Sequence, residues 1–170
     1  SKDEKGRLRV AAATGVGDCE LFITKVDFSP ATVSLAAGDT LIGGSGDDTM
    51  WGGSANDVIK GGAGNDTGSG LGGNDYINAG GGNDTLYGGL DNDSMLGGAG
   101  SDKLYGDAGN DTIDGQGATD TLDGGAGNDL LRWRVGNGSD VMNNSAGSAR
   151  VEVIGNATAD SMTVGRTTGN

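Results

Sequence analysis

Over residues 34–132 an aspartate returns at every ninth position: Asp39, Asp48, Asp57, Asp66, Asp75, Asp84, Asp93, Asp102, Asp111, Asp120 and Asp129. Divided into nines from Ser34, the chain keeps one register through eleven units without an insertion, and these aspartates fill the sixth place of every unit. The eighth place holds Leu41, Met50, Ile59, Gly68, Ile77, Leu86, Met95, Leu104, Ile113, Leu122 and Leu131, apolar in ten of the eleven. Gly or Ala fills the first place from residue 43 to residue 124, and the fifth is mostly Asn. After a two-residue shift, residues 135–143 (VGNGSDVMN) read as a degraded twelfth unit with Asp140 and Met142 in the key places. A period this strict means one short motif stacked on copies of itself. Without it, 37 glycines in 170 residues would mean disorder.

The chemistry follows from the spacing. The last three residues of a nonad suit a short strand, with the eighth side chain on one face and the seventh and ninth on the other. The first six are expected to form the turn. Two nonads then close one flattened coil, and each unit lies under the unit two later at the strand spacing of about 4.8 Å. Glycine permits positive φ in the turn and leaves carbonyl oxygens open to a shared centre. Aspartate adds a hard anionic oxygen, and calcium accepts about six to eight mixed carboxylate and carbonyl ligands. Metals that prefer nitrogen or sulfur find no His and one Cys. Stacked carboxylates about 4.8 Å apart repel by roughly 3 kcal/mol at an effective dielectric of about 20, so the arrangement asks for a cation. A metal-free solenoid would accept Asn or Gly at the sixth place, which no unit carries.

The units GGSGDDTMW, GGAGNDTGS, GGLDNDSML, GGAGSDKLY and GGAGNDLLR resemble the GGxGxDxUx nonapeptide of the RTX (repeats-in-toxin, hemolysin-type) calcium-binding family. The resemblance covers residues 34–132. It implies an all-β fold, a right-handed parallel β-roll (β-solenoid) with short β caps, whose ions sit between successive turns, held by sixth-place aspartates and turn carbonyls. Asp39 would then pair with Asp57, Asp48 with Asp66, and so on to Asp111 with Asp129, giving up to about nine Ca2+ ions in two rows. Ala37, Ala55, Asp91 and Ala118 replace the fourth-place Gly, and Leu71, Asp107 and Gln116 the second; the pattern is best kept from Asp57 to Asp111. The resemblance also implies a bacterial secreted or cell-surface module, disordered where calcium is scarce and folded by it outside the cell. A structural subunit of a calcium-hardened filament or surface layer, and an accessory domain of a larger secreted toxin or hydrolase, are the alternatives.

Charge supports a cation ladder. Residues 34–132 carry 16 acidic and 3 basic side chains, which accounts for the whole net charge of -13. Nucleic acid binding would need the opposite sign. Absence of His removes conventional hydrolytic triads and HExxH zinc sites, so an enzyme is not expected. EF-hand loops are excluded by the missing D-x-[DN]-x-[DN]-G ladder and its closing Glu, since Glu occurs nowhere between residues 21 and 151. No apolar run is long enough for a transmembrane segment. The opening SKDEKGRLRV lacks the apolar core of a secretory signal, which implies earlier removal of a signal or export on information elsewhere.

The flanks read differently. Residues 1–33 are expected to be a leader and capping strand. CELFITKVDF (19–28) alternates as a strand stopped by Ser29 and Pro30, with Cys19 a buried, unreactive thiol. Residues 133–170 hold the degraded repeat and a C-terminal β cap around ARVEVIGNATADSMTV; the turn-like GRTTGN ending suggests that the natural polypeptide continues. The Asn65, Asn83 and Asn110 sequons are by-products of the NDT unit rather than glycan sites. Alternate repeats should share a sheet, lining up Thr49, Thr67, Thr85, Lys103 and Thr121 beside Trp51, Ser69, Tyr87, Tyr105 and Asp123. That second rank is too irregular for an ice-binding face, but Trp51, Tyr87 and Tyr105 could form a contact strip for a partner or a second copy.

Overall fold

The computed structural model describes residues 38–135, 138–155 and 163–166; the capping strand expected at 19–28 and Cys19 lie outside them. Fourteen strands and no helix make up the described residues. The odd strands are β1 (Thr40–Ser45), β3 (Val58–Ala63), β5 (Tyr76–Gly81), β7 (Ser94–Ala99), β9 (Thr112–Gly117), β11 (Asn128–Arg134) and β13 (Ser148–Ile154). The even strands are β2 (Thr49–Gly53), β4 (Thr67–Gly72), β6 (Thr85–Leu90), β8 (Lys103–Ala108), β10 (Thr121–Asp123), β12 (Val141–Asn144) and β14 (Thr163–Arg166). Odd strands form one seven-stranded sheet and even strands another, each in sequence order. Every pairing is parallel, and Ile59 faces Ile77, which faces Met95, one coil at a time. The fold is the parallel β-solenoid that the nonad predicts.

Eighth-place side chains fill the space between the sheets. Ile59, Ile77, Leu86, Met95, Leu104, Ile113 and Leu122 are fully buried, which accounts for the apolar requirement at this one place. Gly68 interrupts the column, and Leu86 Cδ2 stands 3.1 Å from the point its Cβ would occupy. Met142 of the twelfth unit is buried in the same column, as expected. The outer ranks also fall as read: Thr49, Thr67, Thr85, Lys103 and Thr121 are consecutive register partners, as are Trp51, Ser69, Tyr87, Tyr105 and Asp123.

The strands are longer than the spacing suggests. Most run six residues, through the first three places of the next unit, so the turn shrinks to the fourth, fifth and sixth places. The extension is possible because second-place residues pair across coils, Gly44 with Gly62 and Gly62 with Gly80, while holding left-handed φ of 108° and 117° at Gly44 and Gly62. Five departures from glycine, Leu71, Asp91, Asp107, Gln116 and Ala118, are forced into the same region. Fifth-place asparagines tie the turns together. Asn74 N–H donates to Asn56 Oδ1 at 2.8 Å, Asn92 to Asn74, Asn110 to Asn92 and Asn128 to Asn110. A side-chain acceptor thus replaces a ladder bond where the strands have ended.

Leu71 offers a clean test of this backbone demand. It is 46% exposed with φ of 76°, so glycine there loses little packing and relieves the left-handed strain. Leu71→Gly should stabilise the chain by about 0.5–1 kcal/mol, the strain relief less the added freedom of the unfolded chain. Denaturant unfolding at one fixed calcium concentration checks it.

Candidate metal centre

Parity turns the sixth-place aspartate inward. It lies two residues before the buried eighth place, so both side chains point to the same side of the pleat. Asp57, Asp66, Asp75, Asp84, Asp93, Asp102, Asp111, Asp120 and Asp129 are all at most 3% exposed, and Asp39 is 8% exposed. Asp48, near the first coil, is only partly buried.

From Asp57 to Asp129 each carboxylate splits its two oxygens between different tasks. One oxygen joins coils: Asp39 N–H donates to Asp57 Oδ1 at 2.7 Å, Asp57 to Asp75, Asp75 to Asp93, Asp93 to Asp111 and Asp111 to Asp129. A second column runs from Asp48 through Asp66, Asp84, Asp102 and Asp120 to Asp140. Aspartates two units apart are therefore linked from main chain to carboxylate, rather than carboxylate to carboxylate. The other oxygen, Oδ2, is buried and has no hydrogen-bond donor in all eleven aspartates from Asp39 to Asp129. An uncompensated buried anionic oxygen is costly, and eleven in two files call for positive charge.

A glycine at the first place makes room for that oxygen. A methyl built on Gly43 would stand 2.5 Å from Asp48 Oδ2 and 2.6 Å from the Gly61 carbonyl oxygen. On Gly97 it would meet Asp102 Oδ2 at 2.5 Å and the Gly115 carbonyl at 2.7 Å. The same pair of oxygens converges at Gly52, Gly61, Gly70, Gly88 and Gly106. Each such place joins one carboxylate oxygen to the carbonyl of the first-place residue two units on, a hard oxygen set of the kind calcium accepts. Among the described residues no three acidic, His or Cys side chains gather at one point, so any ion here depends on main-chain oxygens as well as aspartate. Three places break the pattern. Ala79 stands at the first place where most units have glycine, Trp133 takes the first place two units after Gly115, and at Gly124 the oxygen nearest after Asp129 Oδ2 is Asn144 Oδ1.

Burial is the leading cause of high carboxyl pKa values along both files. Asp66, Asp75, Asp102 and Asp111 are raised from 3.8 to about 6, and Asp93 and Asp120 to about 7. The N–H bond to Oδ1 pulls each of them down, and neighbouring carboxylates push up again. Without a counter-charge, these groups hold protons close to neutral pH.

The sequence points to the eleven aspartates and to turn carbonyls beside them, but not to which places line the space around Oδ2. Asn144, and the room that the first-place glycines leave for Oδ2, are not anticipated by it; the inward parity of the sixth and first places is the available signal.

Comparison with known families bears directly on the repeat. The family model of the RTX calcium-binding nonapeptide repeat matches four times, at residues 35–68, 61–95, 69–104 and 96–131. A search of the curated proteins found no match. The four matches run without a gap over more than half of the chain, through the residues that carry the buried Oδ2 oxygens, and the protein belongs to the RTX calcium-binding nonapeptide repeat family.

Proposed function

We propose that this chain is a calcium-driven folding module that works outside the cell, and that Asp39, Asp48, Asp57, Asp66, Asp75, Asp84, Asp93, Asp102, Asp111, Asp120 and Asp129 are its calcium ligands, serving up to about nine ions. The observation that carries the reading is the file of buried Oδ2 oxygens with no donor. A divalent ion placed against Oδ2 and the neighbouring first-place carbonyl would neutralise two stacked carboxylates and join consecutive coils. Each site at a hundredfold excess of calcium over its Kd adds about 2.7 kcal/mol to folding, so several sites together dominate a core of one apolar side chain per nine residues. A metal-depleted chain is expected to lose the roll at neutral pH. Export in the unfolded state, followed by folding where calcium is abundant, suits that dependence.

The aromatic strip is weaker support for a partner. Tyr87 and Tyr105 stack on one another with ring centroids 5.1 Å apart and planes 12° from parallel, which satisfies part of each ring within the chain. A calcium module is therefore favoured over a subunit joined through this face.

Calcium titration followed by far-UV circular dichroism should give a cooperative gain of β signal that magnesium does not reproduce, because magnesium demands a tighter octahedron and sheds water reluctantly. In an Asp75→Ala, Asp93→Ala double variant the midpoint should move to higher calcium; an unmoved midpoint contradicts the assignment of these ligands. The raised carboxyl pKa values add a pH prediction for the metal-depleted chain. A carboxyl whose pKa is higher folded than unfolded favours the fold below about pH 4, and that contribution disappears as pH climbs through about 6 to 7. Acidifying the metal-depleted chain from pH 7.5 to about 4 should therefore raise its β signal, whereas apparent calcium affinity should fall as protons compete for the same oxygens. A β signal that instead rises with pH in the metal-depleted chain would contradict the burial of these groups.

A further inference from the structure

The two files of first-place residues end differently at the C-terminal side of the roll. One ends in Trp133, whose side chain is buried where the earlier units of that file have glycine or, at Ala79, alanine. In the other, the two-residue shift makes Asp120 N–H donate to Asp140 Oδ1 over 20 positions rather than 18, and Asn144 then occupies the first place after Asp140. First-place side chains face inward, so Asn144 brings a polar group into the file where glycine brings none. Its Nδ2 donates to the Ala146 carbonyl at 2.6 Å, which turns Oδ1 toward the interior. On the neighbouring strand, Asp123 Oδ1 accepts N–H bonds from Gly125 at 3.1 Å and Ser145 at 2.9 Å, holding this corner of the chain.

The result is a pair of buried oxygens that face one space with no hydrogen-bond donor between them. Asn144 Oδ1 and Asp129 Oδ2 are each buried without a donor, and Asp129 as a whole is 3% exposed. They stand 2.7 and 2.5 Å from the point that a methyl on Gly124 would occupy. The other carboxylate oxygen, Asp129 Oδ1, is already taken by Asp111 N–H at 3.0 Å. Two buried oxygens facing one space, one of them a carboxylate oxygen, are stabilised by a cation placed between them.

We propose that Asp129 and Asn144 form a terminal divalent-cation site in which a side-chain carboxamide oxygen does the work that a glycine carbonyl does further up the file. The site rests on the calcium reading of the repeats, and it extends that reading past the last regular nonad into the degraded unit. It closes the ladder by binding β12 to β11 through an ion at the point where the nine-residue period fails.

Native mass spectrometry of the full chain, titrated with calcium alone, tests it on Asn144→Ala, Asn144→Asp and, as an internal reference, Asp93→Asn. Asn144→Ala should bind one ion fewer than the wild-type chain. Asn144→Asp should keep the full count and bind its last ion about tenfold tighter or more, since added ligand charge raises calcium affinity, while losing thermal stability in chelator. An unchanged ion count in Asn144→Ala overturns the proposal. So does a weaker last ion in Asn144→Asp, the outcome expected if Asn144 merely hydrogen-bonds to Asp129. Loss of an ion in Asp93→Asn alongside an unchanged Asn144→Ala removes only the terminal site; a wild-type chain that binds no calcium removes the whole ladder reading and this site with it.

Discussion

A carboxylate oxygen that faces the inside of a protein without a donor governs this architecture. The pleat sends the sixth-place aspartate to the same side as the apolar eighth place, so every nonad delivers one anionic group into the space between the sheets. Its Oδ1 is consumed in linking coils, and its Oδ2 is left over. Removing charge from water is far costlier than leaving a neutral group unpaired, so the spare oxygens set the conditions under which the whole roll can exist. Protons can meet that demand in acid, and a divalent ion can meet it at neutral pH.

The rest of the motif follows from making room for that oxygen. First-place glycine leaves the space a methyl would fill, second-place glycine lets the strand continue through left-handed φ, and fifth-place asparagine carries the hydrogen bonds across the turn. The asparagine and aspartate ladders point in opposite directions along the solenoid axis. Asparagine accepts from the following coil and aspartate from the preceding one, so each turn is gripped from both sides. A chain of poor strand formers is thereby held by repetition, with each coil supplying the partners the next one lacks.

Much of this was legible because the period is strict. Asp in register through eleven units, with one apolar place two residues later, determines the solenoid, the pairing of each unit with the unit two later, the outer ranks and the aspartate files. Parity could also have been read from the sequence: places six, eight and one share a face, which predicts the crowding between aspartate and glycine. The six-residue strands were harder to foresee, because glycine carries a low strand preference and its pairing here is imposed by the coils on either side. The asparagine ladder is not legible in the sequence, since a hydrogen bond across 18 residues leaves no local trace. Where the period fails, sequence reasoning fails with it. Trp133 and Asn144 acquire their meaning only when the coil places them in the files that glycine occupied.

The central claim is that divalent ions lie against the spare aspartate oxygens between stacked turns. Long-wavelength anomalous diffraction from crystals grown with calcium tests it most directly. The account predicts two rows of calcium peaks about 2.3–2.6 Å from the Oδ2 atoms of residues such as Asp57, Asp66, Asp93 and Asp102, with the adjoining first-place carbonyls as co-ligands. Anomalous maps featureless along both rows, with only water against those oxygens, would contradict it.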